Sequence, residues 1–251
     1  MSEFEEAGPS QDLHDAYLAS MIEQRSSRGR RLLARSRFLV EAALAEKDVE
    51  DGERFARDGL RLLARALDWA EDSPAEAASH EALDSAGAWV RETFGCQFAQ
   101  EGGNYYQRCP VALAHTRVGF SVGGVVARRT CSLCGGDVAE CSHRRDRAYL
   151  VPGGSGGLGW CRVCLERGPC EHVPSATYRA RVVAIIAEMT LDEVSFVGKP
   201  ANPEARLESV SVSFEGLRDR HGQRFERGMT VNCDRCLTPC EGLIRPEGLH
   251  T

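Results

Sequence analysis

The chain has 251 residues, a formal net charge of −6, and 42% hydrophobic against 27% charged residues, a globular balance that predicts folding and excludes a disordered chain. The acidic surplus removes the global electrostatic footprint of a nucleic-acid binder. The opening MSEFEEAGPS lacks the basic start and apolar run of a signal peptide, and the longest apolar run, Val182 to Ala187, is too short to span a bilayer, so the expected location is cytoplasmic.

Residues 1 to 9 read as a frayed polar tail. From Ser10 to about Glu46 the periodicity is helical. Leu13, Tyr17 and Met21 recur at four-residue spacing, Leu32, Leu33, Phe38, Leu39, Ala42 and Ala43 form a second apolar face, and Gly29 is expected to break the two. The arginines 25, 28, 30, 31, 35 and 37 fall in this stretch. They read first as a solvated or internally paired helix face, and second as a patch that grips phosphates or an acidic partner.

Phe55 to Ala70 predicts a strong helix, with Ala56, Leu60, Leu63, Leu67 and Ala70 on one stripe and Trp69 beside it. Ser73-Pro74-Ala75-Glu76 predicts a capping box with proline at the first helical position. The helix it starts should bury Ala78, Ala82, Ala86, Trp89, Val90 and Phe94, and stop at Gly95. After Gly95 glycines become frequent and short Val-, Phe- and Ile-rich runs appear between turn signals, so a β-rich region is expected from about Tyr105. Strands are expected around Val118 to Gly123, Tyr178 to Met189, Asp192 to Val197 and Arg206 to Phe214. The fold class is therefore α+β: a helical domain over 1–95, a β-rich metal-binding domain over 96–215 and a C-terminal zinc-knuckle segment over 216–251.

Eleven cysteines fall largely into close C-x-x-C pairs with histidines at ligand spacing, which favours metal over disulfides. Cys131, Cys134, Cys141 and His143 form one complete set of four zinc ligands, and Cys161, Cys164, Cys170 and His172 form a near-copy. A two-residue gap lets both cysteines of a turn point at one ion, and four protein ligands leave no position for water, which is the mark of a structural site. Cys233, Cys236 and Cys240 offer three ligands for a third zinc, with His221 or His250 as the fourth. Cys96, Cys109 and His115 remain, either as a fourth site or, for the two cysteines, as buried apolar side chains. His80 precedes Cys96 by sixteen residues on one helix, roughly 24 Å, and is not expected to share its ion.

Gly119-Phe120-Ser121-Val122-Gly123 resembles the serine strand of the tailed-phage prohead, or capsid-maturation, protease family. Glu193-Val194-Ser195-Phe196-Val197, followed by Lys199-Pro200-Ala201-Asn202-Pro203-Glu204-Ala205-Arg206, resembles that family's characteristic strand and turn. The resemblance covers about ninety residues. It implies a small β-barrel-like protease fold related to herpesvirus assemblins, with Ser121 as the nucleophile, and points to a phage-related protein. A serine needs a base within hydrogen-bond reach, and His115, six residues away, would lie about 20 Å from it along one strand; His221 is the alternative base. The leading expectation is a zinc-stabilised scaffold that engages a protein partner through a non-catalytic domain of this type. The alternative is a serine endopeptidase using Ser121, and nucleic-acid binding through zinc knuckles and Arg25 to Arg37 ranks third.

Overall fold

A computed structural model describes residues 4–9, 11–42, 46–145, 147–168 and 170–244. In chain order the elements are β1 (Glu6–Pro9), α1 (Gln11–Ala42), α2 (Glu46–Ala70), α3 (Glu76–Phe94), β2 (Ala99–Glu101), β3 (Asn104–Gln107), α4 (Pro110–His115), β4 (Gly119–Cys131), β5 (Arg147–Pro152), β6 (Thr177–Arg181), β7 (Ala184–Val197), β8 (Val210–Val212) and α5 (Phe214–His221), then a single 3-10 turn at Arg235–Leu237. Helices and small sheets together make an α+β protein, as the composition of the segments predicts. The chain forms two compact units that are not sequential: Met1–Gln24 with Val122–Val194, and Arg25–Ser121 with Ser195–Thr251.

In the first unit a three-stranded antiparallel sheet, β1-β5-β6, has Tyr149 opposite Ala180 and Val151 opposite Tyr178. Its apolar face is Tyr149, Val151 and Ala180, packed with Cys131, Leu133 and Val182. The expected strand from Tyr178 to Met189 is interrupted after Arg181 and resumes at Ala184 as β7. Ser132 causes the break, since its amide donates to the Val183 carbonyl at 3.0 Å and its hydroxyl accepts the Val183 amide at 2.9 Å.

The second unit is built on helix packing. α2 buries Ala56, Leu60, Leu63, Leu67 and Ala70, each at 2% exposure or less, so the predicted stripe is the core stripe, and full burial of each leucine is worth about 1.5–3 kcal/mol. Gly29 does not break α1; it lies inside the helix. A methyl group there would come within 3.0 Å of the Gly59 carbonyl, and one on Gly59 within 3.0 Å of the Gly29 carbonyl. The two glycines let the backbones of α1 and α2 touch, which compensates the entropy they cost. α3 begins at Glu76, two residues later than expected, because Ser73 makes a turn: its hydroxyl donates to the Ala70 carbonyl at 2.6 Å and Glu76 accepts the Asp72 amide at 2.6 Å. Its buried stripe is Ser79, Leu83, Ala86, Gly87 and Val90, rotated from the predicted one, and Gly95 ends it with φ of +72°. The third part of this unit is the β2-β3-β8 sheet, whose Tyr105 packs with Leu217, Phe225 and Val231. Of the strand expected over Arg206 to Phe214 only Val210–Val212 forms; Ser213 instead caps α5, accepting the Gly216 amide at 3.0 Å.

β4 and β7 make a two-stranded sheet of their own. The segments that carry the prohead-protease resemblance meet here and in the turn beyond it. Phe120 donates its amide to Ala205 at 2.8 Å and its ring lies 5.3 Å from that of Phe196. A methyl group on Gly124 would come 2.1 Å from the Thr190 carbonyl, so only glycine permits this approach. The turn ending in Arg206 is anchored to the helices: Glu204 takes an ion pair from Arg25, one from Arg65 at 3.1 Å and a hydrogen bond from the Trp69 indole at 2.6 Å.

That engagement also accounts for part of the arginine run. Arg25 is buried against Glu204 and stacks over Trp69 at 5.3 Å, Arg35 stacks over Phe55 at 4.3 Å, and Arg37 over Trp89 at 4.9 Å. These three face apolar and acidic neighbours within their own unit. No helix among the described residues is long and apolar enough to cross a membrane.

Candidate metal centres

The two predicted Cys3His sets both assemble. Cys131, Cys134, Cys141 and His143 bring their ligand atoms within 4.8 Å of one another, and so do Cys161, Cys164, Cys170 and His172. The two copies share one backbone plan. Gly135 donates its amide to Cys131 at 2.8 Å and Leu165 to Cys161 at 2.9 Å, while the Cys131 and Cys161 amides return to Gly136 and Glu166, both at 2.8 Å. The residue after the second cysteine is left-handed in each copy, with φ of +74° at Gly135 and +62° at Leu165. Such a turn aims both sulfurs of a C-x-x-C pair at one point.

The correspondence extends past the ligands. His143 sits edge-on against Tyr149 at 4.9 Å and 88°, and His172 against Tyr178 at 4.8 Å and 86°. Each tyrosine hydroxyl then accepts the amide that follows its histidine, from Arg144 at 3.0 Å and from Val173 at 3.2 Å. The rings are thus held from behind, the way supporting partners orient a metal-bound imidazole. Nδ1 of His172 is buried with no hydrogen-bond partner among the described residues, a state that costs free energy unless a metal ion takes up its lone pair. Both tyrosines stand six residues after their histidine; that common offset is the signal by which sequence reading can find them.

A third set departs from expectation. His80, Asp84, His115 and Cys240 gather their ligand atoms within 4.8 Å. The Nε2 atoms of His80 and His115 are 3.0 Å apart, Cys240 Sγ lies 3.1 Å from His115 Nε2 and 3.4 Å from His80 Nε2, and the Asp84 carboxylate is 3.6 Å and 3.3 Å from the two rings. His115 donates Nδ1–H to the Val111 carbonyl at 2.6 Å, which leaves Nε2 as the lone-pair nitrogen facing the cluster. His80 and Asp84 are one helical turn apart on α3 and so share a face, a spacing that was legible in the sequence.

Two expected ligands, His115 and Cys240, are found elsewhere than with their expected partners, and His80 joins them. His80, distant from Cys96 as expected, belongs instead with His115. His115 does not join Cys109, because the two stand at opposite ends of α4, six residues or roughly 9 Å apart. Cys240 does not join Cys233 and Cys236, because the 3-10 turn Arg235–Leu237 and the extended residue after it carry it to the histidines. Cys233 and Cys236 lie instead beside Cys96 and Cys109, which are not gathered as closely as the other three sets. Of the histidines proposed for that group, His221 packs on Phe225 at 5.6 Å and His250 lies outside the described residues. Every described cysteine is free of disulfide.

Ser121 lies half-buried on β4, and no histidine among the described residues is hydrogen-bonded to it. His115 is engaged as above, His14 is paired with Arg181 at 2.9 Å, and His143 and His172 stand in the cysteine sets. No family model matches the chain, and neither a curated protein nor a solved structure matches it at a significant level. What the site geometry supports is metal coordination by four protein ligands at each of three places.

Proposed function

We propose that this protein is a zinc-stabilised scaffold that binds a protein partner along the β4-β7 ribbon, and that it is not a protease. Sulfur-rich Cys3His sets in a tight turn suit zinc above the harder divalent cations. With four ligands each, they hold structure and leave no open position for a reacting water.

The observation that carries the binding role is the ribbon itself. Residues 122–128 of β4 and 186–194 of β7 make backbone hydrogen bonds only with each other among the described residues. Val122, Val125, Ile186, Leu191 and Val194 on these strands are each at least half exposed. A two-stranded ribbon is marginal in water by itself, and open strand edges flanked by apolar side chains are what an added strand pairs with. The partner is accordingly an extended apolar segment of another protein.

Peptide-display selection against the zinc-loaded chain tests this. It should return extended apolar sequences whose binding is lost in Val125→Asp/Leu191→Asp and kept in Ser121→Ala. Binding indifferent to the ribbon substitutions contradicts the reading, and so does specific labelling of Ser121 by a fluorophosphonate probe, because labelling requires an activated serine.

A further inference from the structure

We infer that Cys96, Cys109, Cys233 and Cys236 form a fourth metal centre, a tetrathiolate zinc site that ties the segment after Val231 to the helices of the second unit. The pairing that creates it is a short antiparallel bridge. Gln97 pairs with Asn232, the Phe98 amide donates to the Val231 carbonyl at 2.9 Å and the Cys233 amide to the Cys96 carbonyl at 2.8 Å. This sets Cys96 opposite Cys233. Cys109 arrives from the N-terminus of α4, close enough to Cys233 and Cys236 for the three thiols to act on one another, and Cys96 is close enough to Cys236 for its charge to act on it. Cys233-x-x-Cys236 has the same two-residue gap as the two knuckles.

A hydrogen-bond donor and two cations surround the cluster. The Cys233 sulfur accepts the Gln107 side-chain amide at 3.2 Å. Two guanidinium groups flank the cluster: Arg57 donates to the carbonyl of Gly95, next to Cys96, at 3.2 Å, and Arg91 donates to the Cys233 carbonyl at 3.0 Å while its charge acts on both Cys96 and Cys233. A divalent ion with four thiolates carries two net negative charges, which these two cations offset. Cys96 and Cys233 are buried. With this centre, the four sets take up all eleven cysteines of the chain, which free buried thiols collected by packing alone would not do.

The full chain, equilibrated with zinc and desalted, is weighed by native mass spectrometry. Four bound ions are expected in the wild type and three in Cys109→Ser/Cys236→Ser. Three or fewer in the wild type, or four in the double variant, overturns the site. An independent reading needs no variant: iodoacetamide with peptide mapping should find Cys109 and Cys236, both part-exposed, protected in the zinc-loaded chain at least tenfold relative to the chelated one. Equal labelling with and without zinc overturns the inference. The outcome separates from the function proposed above, since three ions leave the knuckles and the ribbon untouched while none removes the zinc scaffold altogether.

Discussion

Arg117→Met should destabilise the second unit by about 3–5 kcal/mol at pH 8, because it removes the cation from a buried ion-pair network and leaves carboxylates behind. Arg117 is 1% exposed, and its guanidinium meets Asp68 at 3.0 Å and Glu71 at 3.0 Å. Arg206 closes the network on the same two carboxylates, bonding Glu71 and lying 3.7 Å from Asp68. Burial pushes the Asp68 carboxyl up from 3.8 to about 6, against the opposing pull of Arg117 and Arg206. A carboxyl whose folded value is raised holds a proton that the unfolded chain has released. Its contribution is thus fully present below about pH 4 and is lost as pH rises through about 6, a change of roughly 3 kcal/mol over that window. Without Arg117 the Asp68 carboxyl rises further, so the gap between variant and wild type should be widest at pH 8 and narrow by about half at pH 5.5, where Asp68 is largely neutral in both. Urea unfolding with zinc present, followed by tryptophan fluorescence, measures this, and Trp69 reports from the adjoining Glu204 contact. A gap under 1 kcal/mol at pH 8, or one that widens toward pH 5.5, refutes the reasoning.

Leu165→Gly should stabilise the zinc-loaded chain by about 1 kcal/mol, measured as a shift in urea midpoint, because leucine at φ of +62° pays the left-handed penalty that Gly135 avoids in the other copy. Tyr149→Phe and Tyr178→Phe each remove the hydroxyl that holds the amide after the ligand histidine, and should weaken zinc binding in competition with a chromophoric chelator by about 10-fold or more. Gly59→Val should cost at least about 1–3 kcal/mol in thermal or urea unfolding, since its side chain meets the Gly29 carbonyl at 3.0 Å. His80→Ala should release one zinc ion in native mass spectrometry while leaving both Cys3His sites loaded, the set of His80, Asp84, His115 and Cys240 being separate from them in sequence and ligands.

What the sequence made legible was whatever depends on short-range spacing. The two Cys3His sets lie within thirteen and twelve residues of chain, so turn geometry alone gathers them, and the α2 stripe follows from a period of 3.6. The set of His80, Asp84, His115 and Cys240 needs three distant segments, and no spacing rule brings Cys240 to α3. Proximity in sequence pointed to Cys233 and Cys236 instead, and the turn between them overrode it. Gly29 misled for a related reason: glycine reads as a helix breaker when considered locally, while its use here, contact with Gly59 across a helix pair, is tertiary. α4 and α5 were not anticipated because each is short, eight residues or fewer, too brief for periodicity to register. The two segments that carry the prohead-protease resemblance meet at Phe120 and Ala205, and the turn of the second is bound to the helices of its own unit through Arg206 on Glu71 and Glu204 on Trp69.

Hydrogen exchange of the zinc-loaded chain before and after strong chelation tests most directly that metal holds this protein together. Binding energy of roughly 10–16 kcal/mol at a structural zinc site is folding energy. Protection should therefore collapse across residues 131–181 and 231–240 on chelation, while the leucine core of α2 keeps its slow amides. Unchanged protection in the cysteine-rich segments would contradict the account.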